Sequence, residues 1–216
     1  VYNEKNINLY LKKIIDNPSL RDYEIIVVDG NGTSTIDTIE CENIIKITSK
    51  KGRANQMNTG AKSASSDSLL FLHADTILPN NALQYIHEAL QEKEIAAGAF
   101  DLSFDAQNKA LKTIAKVASW RSRLTKLPYG DQAIFIKKDI FEQINGYEDM
   151  LIMEDVNLMQ KLKISNHNIK ILNQKIITSA RKWENSGIVY TTLRNWILIS
   201  LYFLKINPNK LAKYYK

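Results

Sequence analysis

Three aspartates stand where a carboxylate could hold a cation or take a proton. Asp29 closes the apolar run Ile25-Ile26-Val27-Val28, and Asp75 lies just past Leu69-Leu70-Phe71-Leu72. Asp155 shares a helical face with Leu158, Met159 and Leu162, which puts its carboxylate at the inward start of a helix. There it stays ionised, ready to accept a proton from a hydroxyl, although helix capping alone would reward the same position. One or two carboxylates completed by substrate phosphates are what magnesium and manganese take. Arg53 follows Gly52 at an expected helix start, where a guanidinium and free backbone N–H groups meet phosphate; the alternative is a solvated basic residue.

The elements that must position these groups alternate. A helical pattern with Ile7, Leu11, Ile14 and Ile15 on one face precedes a strand at Glu24–Asp29, which Gly30-Asn31-Gly32 breaks. Ser34 or Thr35 is placed to cap a helix to Cys41, followed by a strand at Ile44–Thr48 and a helix from Arg53 to about Ala64. Leu69–Leu72 reads as a further strand, and Pro79 leads into a helix ending near Glu92. Strands alternating with helices predict an α/β sheet, with ligands beyond the carboxyl ends of the strands, where Asp29 and Asp75 fall. Later the pattern loosens: strands at Gly98–Phe104, Ala133–Lys137, Ile169–Leu172 and Lys175–Ser179, and helices at Ala106–Lys126, Glu154–Lys163 and Ile188–Lys205. No repeat or linker divides the 216 residues, so one domain is expected, with a nucleotide-binding half over about 1–100, an acceptor-side half over about 101–185 and a helical segment over about 186–216.

Composition narrows the class. Hydrophobic residues make up 44% and charged residues 24%, as in ordinary globular proteins rather than disordered ones. A single cysteine, Cys41, excludes an internal disulfide framework and suits a reducing compartment. No basic-then-apolar leader opens the chain and no apolar stretch is long enough to span a bilayer, so a cytoplasmic location is expected. The net charge of +6 favours anionic partners.

The segments resemble family 2 glycosyltransferases with the GT-A fold. The resemblance is carried by Val1-Tyr2-Asn3-Glu4, Ile26-Val27-Val28-Asp29-Gly30, Lys51-Gly52-Arg53, Phe71-Leu72-His73-Ala74-Asp75 and Met153-Glu154-Asp155-Val156, in the family's order. The wording of Gly52–Asn58, His73–Thr76 and Ala180–Glu184 is closest to a bacterial subgroup often labelled selenodomain-associated transferase. The resemblance implies a mostly parallel central sheet flanked by helices, and metal-dependent, inverting transfer of a sugar from a nucleoside-diphosphate sugar, UDP-linked by family expectation, to an acceptor hydroxyl.

Residue by residue, the resemblance implies that Tyr2, Glu4 and Asp29 line the base and ribose, although Asp29 also suits a turn. Arg53 meets phosphate, with Asn58 a weaker nucleotide contact. Asp75 holds Mn2+ or Mg2+, its alternative being a cap for the following segment. His73 replaces the first carboxylate of the family's metal motif; it is free to bond ribose, to join a manganese shell, or only to pack. Asp155 is the general base, and Glu154 orients the site or begins the helix. Asp131, in Gly130-Asp131-Gln132, reaches sugar hydroxyls or makes a turn. Arg181 and Trp183 are similar to an Arg/Trp element bordering the acceptor channel in processive relatives, without its leading Gln; Trp183 stacks on a sugar or fills the core.

Family members carry an apolar strand just before the segment matching Val1–Glu4, so a sheet lacking a central strand, and a shortened chain, are expected. Trp196–Leu204 is apolar nearly all round and is flanked by Arg194, Lys205, Lys210, Lys213 and Lys216. It has three roles open: lying on an anionic membrane surface, which a lipid-linked acceptor would favour, forming a homodimer, or packing as a core helix. Two other functions compete. A sugar nucleotidyltransferase would favour a Gly-rich basic loop near the start, which the sequence lacks. A non-catalytic basic membrane- or nucleic-acid-binding module leaves the three aspartates unexplained, and no nucleic acid is expected as a partner.

Overall fold

The computed structural model describes Val1, Tyr2 and residues 4–17, 23–30 and 35–215. Asn3, the Asn31-Gly32 break and the Ser34 cap considered above lie outside the described residues. Helix α1 (Ile7–Ile15) leads to strand β1 (Ile25–Asp29), then β2 (Ile44–Thr48), α2 (Arg53–Ser63), β3 (Ser68–Phe71), β4 (Thr76–Ile77) and α3 (Ala82–Gln91). Next come the long β5 (Ile95–Phe104), α4 (Lys109–Thr125), β6 (Ile134–Lys137), α5 (Lys138–Gln143), α6 (Glu154–Ile164) and β7 (Asn168–Thr178). Three helices follow, α7 (Arg181–Ser186), α8 (Ile188–Phe203) and α9 (Pro208–Leu211).

The α/β architecture is as expected, but the sheet is mixed rather than mostly parallel. β1 and β2 form a parallel pair, and a five-stranded sheet runs β3-β6-β5-β7-β4. Within it only β5 and β7 are parallel; β6 lies antiparallel between β3 and β5, and β4 runs antiparallel to β7. Residues 35–41 hold only a 3-10 turn at Ile36–Thr38, because Ile39 turns into the core with Ile7, Leu11 and Val27 instead of continuing a helix. The two strands expected at Ile169–Leu172 and Lys175–Ser179 are one, β7. Asn173 and Gln174 are accommodated by a register shift between Phe100/Leu172 and Asp101/Lys175. Arg123 of α4 clamps that irregularity, 2.8 Å from Asp101 and 2.6 Å from Asn173.

Strand alternation divides the interior into two cores. Ala97, Ala99, Ile134 and Ile136 face α2, α5 and α6, where Leu158, Met159 and Leu162 are fully buried. Phe100, Leu102, Phe104 and Phe135 face α3 and α4. At Gly98 a side chain would collide with the Phe135 ring and the Lys170 carbonyl, so glycine is what lets β5, β6 and β7 close up. Truncating a residue such as Phe135 at this seam would cost about 3–5 kcal/mol. A rigid sheet thus carries the loops after β1 and β3, the 129–132 turn before β6 and the start of α6.

Candidate active site

The most tightly specified part of the site is the meeting of the 129–132 turn with α6. Gly130–Gln132 is a 3-10 turn whose Gln132 side chain is wholly buried. Its amide donates to the Phe100 carbonyl at 2.9 Å, and its oxygen accepts from Ser122 Oγ at 2.7 Å and from the Tyr129 N–H at 3.2 Å. The turn is therefore nailed to β5 and α4, and it aims the Gly130 N–H at Asp155 Oδ2, 2.6 Å away. Asp155 Oδ1 accepts from the Val156 N–H at 2.7 Å. A Cβ at Gly130 would stand 3.0 Å from His73 Nε2 and 3.4 Å from Asp155 Oδ2, so glycine permits this three-way approach.

Met153, the residue before α6, has φ +67, a left-handed conformation costing about 1–2 kcal/mol in a non-glycine residue. Burial of the adjacent Ile152 against Leu198 of α8 and Leu211 of α9 offsets this, at about 1.5–3 kcal/mol for a side chain of that size. Asn209 accepts from the Leu151 N–H at 2.9 Å and holds the same loop. The helices after β7 thus brace the backbone that presents Glu154 and Asp155.

Electrostatics separates the acids. Glu154 is 2% exposed; Oε1 is 3.7 Å from Arg53, while Oε2 is buried with no hydrogen-bond partner. Burial, and then the Asp155 charge, raise its carboxyl above the ordinary range. Asp131 Oδ1 is likewise buried without a partner, and desolvation with the nearby Asp155 pushes this carboxyl up to about 6. Desolvation, with Arg53 nearby, pushes His73 down to about 3, so its imidazole is neutral.

Asp75 sits after β3 in a turn closed by the Thr76 N–H donating to the His73 carbonyl at 3.0 Å. Its carboxylate is partly exposed and lies 3.5 Å from Arg181 of α7, which also stands 3.7 Å from Glu4. The charges of Asp155, Arg53 and Asp75 all bear on Asp131, so these four lie near one another. Among the described residues no three His, Cys, Asp or Glu side chains converge as a metal cage. The donor set fits a cation held by one protein carboxylate and completed by a substrate's phosphate oxygens, the mode magnesium and manganese favour.

Other residues named from the sequence are engaged in contacts of their own. Asp29 is fully buried and accepts from the Thr35 N–H at 3.0 Å, beneath the rim rather than on it. Tyr2 is exposed, with the Lys51 ammonium 4.1 Å from its ring centroid. Asn58 serves as a structural tie between α2 and the loop before α6. Its amide donates to the Tyr147 carbonyl at 2.8 Å, and its oxygen accepts from the Tyr147 N–H at 2.9 Å. Trp183 packs edge-on against Phe104, 4.8 Å between centroids, within the α3/α4 core. The anchoring role of Gln132 escapes sequence reasoning, since its contacts with Ser122 and Phe100 are made across the fold.

Residues 1–146 match the family described as Glycosyl transferase family 2. Among solved structures, the chain is similar to the mannosyltransferase PcManGT from Pyrobaculum calidifontis in complex with GDP-Man and Mn2+, with a TM-score of 0.65 and 17% identity over 90% of this chain and 57% of that one. It is also similar to S. aureus TarS 1-349 in complex with UDP, with a TM-score of 0.62 and 15% identity over 83% of this chain and 59% of that one. The chain thus spans under two thirds of either structure. No curated protein sequence matches it significantly.

Proposed function

The chain belongs to Glycosyl transferase family 2, and from that premise we propose that it moves a sugar from a UDP-linked donor to an acceptor hydroxyl, with inversion at the anomeric carbon. The observation that carries this reading is Asp155: an acid fixed through both oxygens by backbone N–H groups, beside a neutral His73, its charge and that of Asp75 both felt at Asp131. Asp155 takes the acceptor proton as the oxygen attacks the anomeric carbon from the face opposite the diphosphate. The new C–O bond forms as the bond to the diphosphate oxygen breaks, and the electron pair leaves with the diphosphate. Arg53 and Arg181 face that leaving charge. Asp75 would hold Mn2+ or Mg2+, which supplies further neutralisation of the diphosphate. Asp131 and Glu154 border the sugar, while Tyr2, Glu4 and Asp29 shape the nucleotide end. The likeness to the selenodomain-associated subgroup belongs to the same proposal.

A second part of the reading concerns the acceptor. α8 turns Thr191, Arg194 and Leu198 inward and exposes Val189, Tyr190, Leu193, Trp196 and Ile197, an apolar stripe with Lys205, Lys210 and Lys213 beyond its end. No helix among the described residues is long and apolar enough to cross a membrane. The stripe suits shallow seating on an anionic membrane, and with it a lipid-linked acceptor.

The test is a screen of UDP- and GDP-sugars for manganese-dependent hydrolysis and thermal stabilisation, run with and without anionic vesicles. One nucleotide sugar should be hydrolysed and should raise the Tm, both effects should vanish in EDTA, and the protein should sediment with the vesicles. No hydrolysis or stabilisation by any donor would end the transferase reading. Failure to sediment would end the membrane part alone.

A further inference from the structure

The turn ahead of β6 is built at a cost that filling space does not require. Ala133 closes it at φ +53, a left-handed backbone that strains an alanine. Beside it Gln132 carries an amide into the interior, wholly shut off from solvent, where a polar group is tolerated only when it is bonded. A methionine would occupy a similar volume and need no partners.

What the amide adds is a fixed position for the residues before it. Its nitrogen ties the turn to the Phe100 carbonyl of β5, and its oxygen holds the Tyr129 N–H. The same oxygen stands 2.7 Å from Ser122 Oγ of α4, a hydroxyl shared with the Ala118 carbonyl at 2.9 Å. α4 adds a second grip through Arg121. Its guanidinium lies 3.5 Å from the centroid of the Tyr129 ring, and its Nη2 donates to Ser122 Oγ at 3.1 Å. Tyr129 is thus held by backbone and by ring, and the next N–H along the chain is that of Gly130, 2.6 Å from Asp155 Oδ2. The other Asp155 oxygen accepts from Val156, within its own helix, so Gly130 is the contact that ties this carboxylate to a different part of the fold.

We infer that Gln132, backed by Ser122, is a positioning residue for Asp155. It sets the turn so that the Gly130 N–H fixes Oδ2 and leaves the carboxylate in one orientation toward the acceptor hydroxyl, while Arg121 stiffens the same turn through the Tyr129 ring. A misplacement of about 1 Å in such a group costs on the order of a hundredfold in rate. The inference rests on the proposed transferase reading for what Asp155 does, and on the hydrogen bonds alone for how it is held.

The test uses Gln132→Met and Ser122→Ala in the full chain, each alone and combined with Asp155→Asn. Proton–nitrogen correlation NMR follows the Gly130 amide, and hydrolysis of whichever nucleotide sugar the protein accepts gives kcat and KM. In Gln132→Met the Gly130 proton should move upfield and exchange with solvent about tenfold faster, while the amides of β5 and β6 keep their protection. Turnover should fall about thirtyfold with the donor KM changed less than about twofold. Ser122→Ala leaves Gln132 bonded to Phe100 and Tyr129; it should shift the same amide less and lower turnover about threefold, and it carries the test if the Gln132 variant does not fold. In the Asp155→Asn background the Gln132 change should cost less than about twofold, because its effect runs through the lost carboxylate. An undiminished loss in that background would show that Gln132 serves the fold and not the base. A Gly130 amide unmoved in both variants would overturn the link outright. A Gly130 bond lost in Gln132→Met, in a protein that hydrolyses no nucleotide sugar, would keep the link and sink the transferase reading.

Discussion

The acids proposed for the nucleotide end and those around the start of α6 live under opposite conditions. Asp29 is bonded to the Thr35 backbone, and Glu4 and Asp75 share the Arg181 guanidinium, so protein groups already answer these charges. At the other end Glu154 Oε2 and Asp131 Oδ1 are buried with no hydrogen-bond partner, and both carboxyls are pushed upward. In the first region Asp29 is spent inside the fold, while Glu4 and Asp75 hold long, solvent-screened contacts with Arg181 that a ligand could replace at modest cost. The second holds uncompensated groups around Asp155, an arrangement that costs stability and is typical of sites where protons move.

The sharpest way to break the comparison is Asp155→Asn. Its amide cannot take the acceptor proton, and turnover should fall about a thousandfold, about 4 kcal/mol in the barrier, with KM for the donor little changed. A variant retaining a tenth of wild-type turnover would remove Asp155 from the chemistry. The uncompensated end offers a second handle in Asp131, pushed up to about 6 from an ordinary 3.8. Between those values the folded protein keeps a proton that the unfolded chain releases, so stability falls as pH rises through the window and the full cost is present above about 6. Asp131→Asn should therefore stabilise the protein by about 3 kcal/mol at pH 8 and by little at pH 4. Urea midpoints at the two pH values check this, and an equal effect at both would show that Asp131 is not destabilised by burial.

Much of this contrast is legible in the sequence, and the reasons differ residue by residue. Asp155 is visible because Leu158, Met159 and Leu162 mark the buried face of α6, and a helix start orients the group preceding that face. Asp75 is visible from the apolar run before it. The antiparallel insertion of β6 is not, because a four-residue apolar strand carries no record of its direction. Nor is the anchoring by Gln132, whose partners Ser122 and Phe100 lie 10 and 32 residues away. Asn58 draws attention as a polar residue close to Arg53, yet both ends of its amide are spent on the Tyr147 backbone, a pairing across 89 residues that no local pattern encodes. The left-handed Met153 has the same origin, since its cost is met by Ile152, Leu198 and Leu211 together.

The smallest expected effect probes the satisfied end. Arg181 is half-exposed, and its contacts with Asp75 and Glu4 are long, at 3.5 and 3.7 Å. Solvent and salt screen such pairs, so Arg181→Ala should change stability by less than about 1 kcal/mol. Its ligand effects should carry opposite signs. Without the guanidinium beside Asp75, manganese alone loses a repulsion of about 1 kcal/mol and should bind several-fold tighter. The UDP–manganese complex, whose diphosphate would lose a cationic partner, should bind several-fold weaker. Calorimetric titration of each into both proteins reads the two signs directly. If both ligands weaken together, Arg181 organises Asp75 rather than standing in for the ligand, and the nucleotide end is as dependent on its internal pairing as the α6 end is on its buried acids.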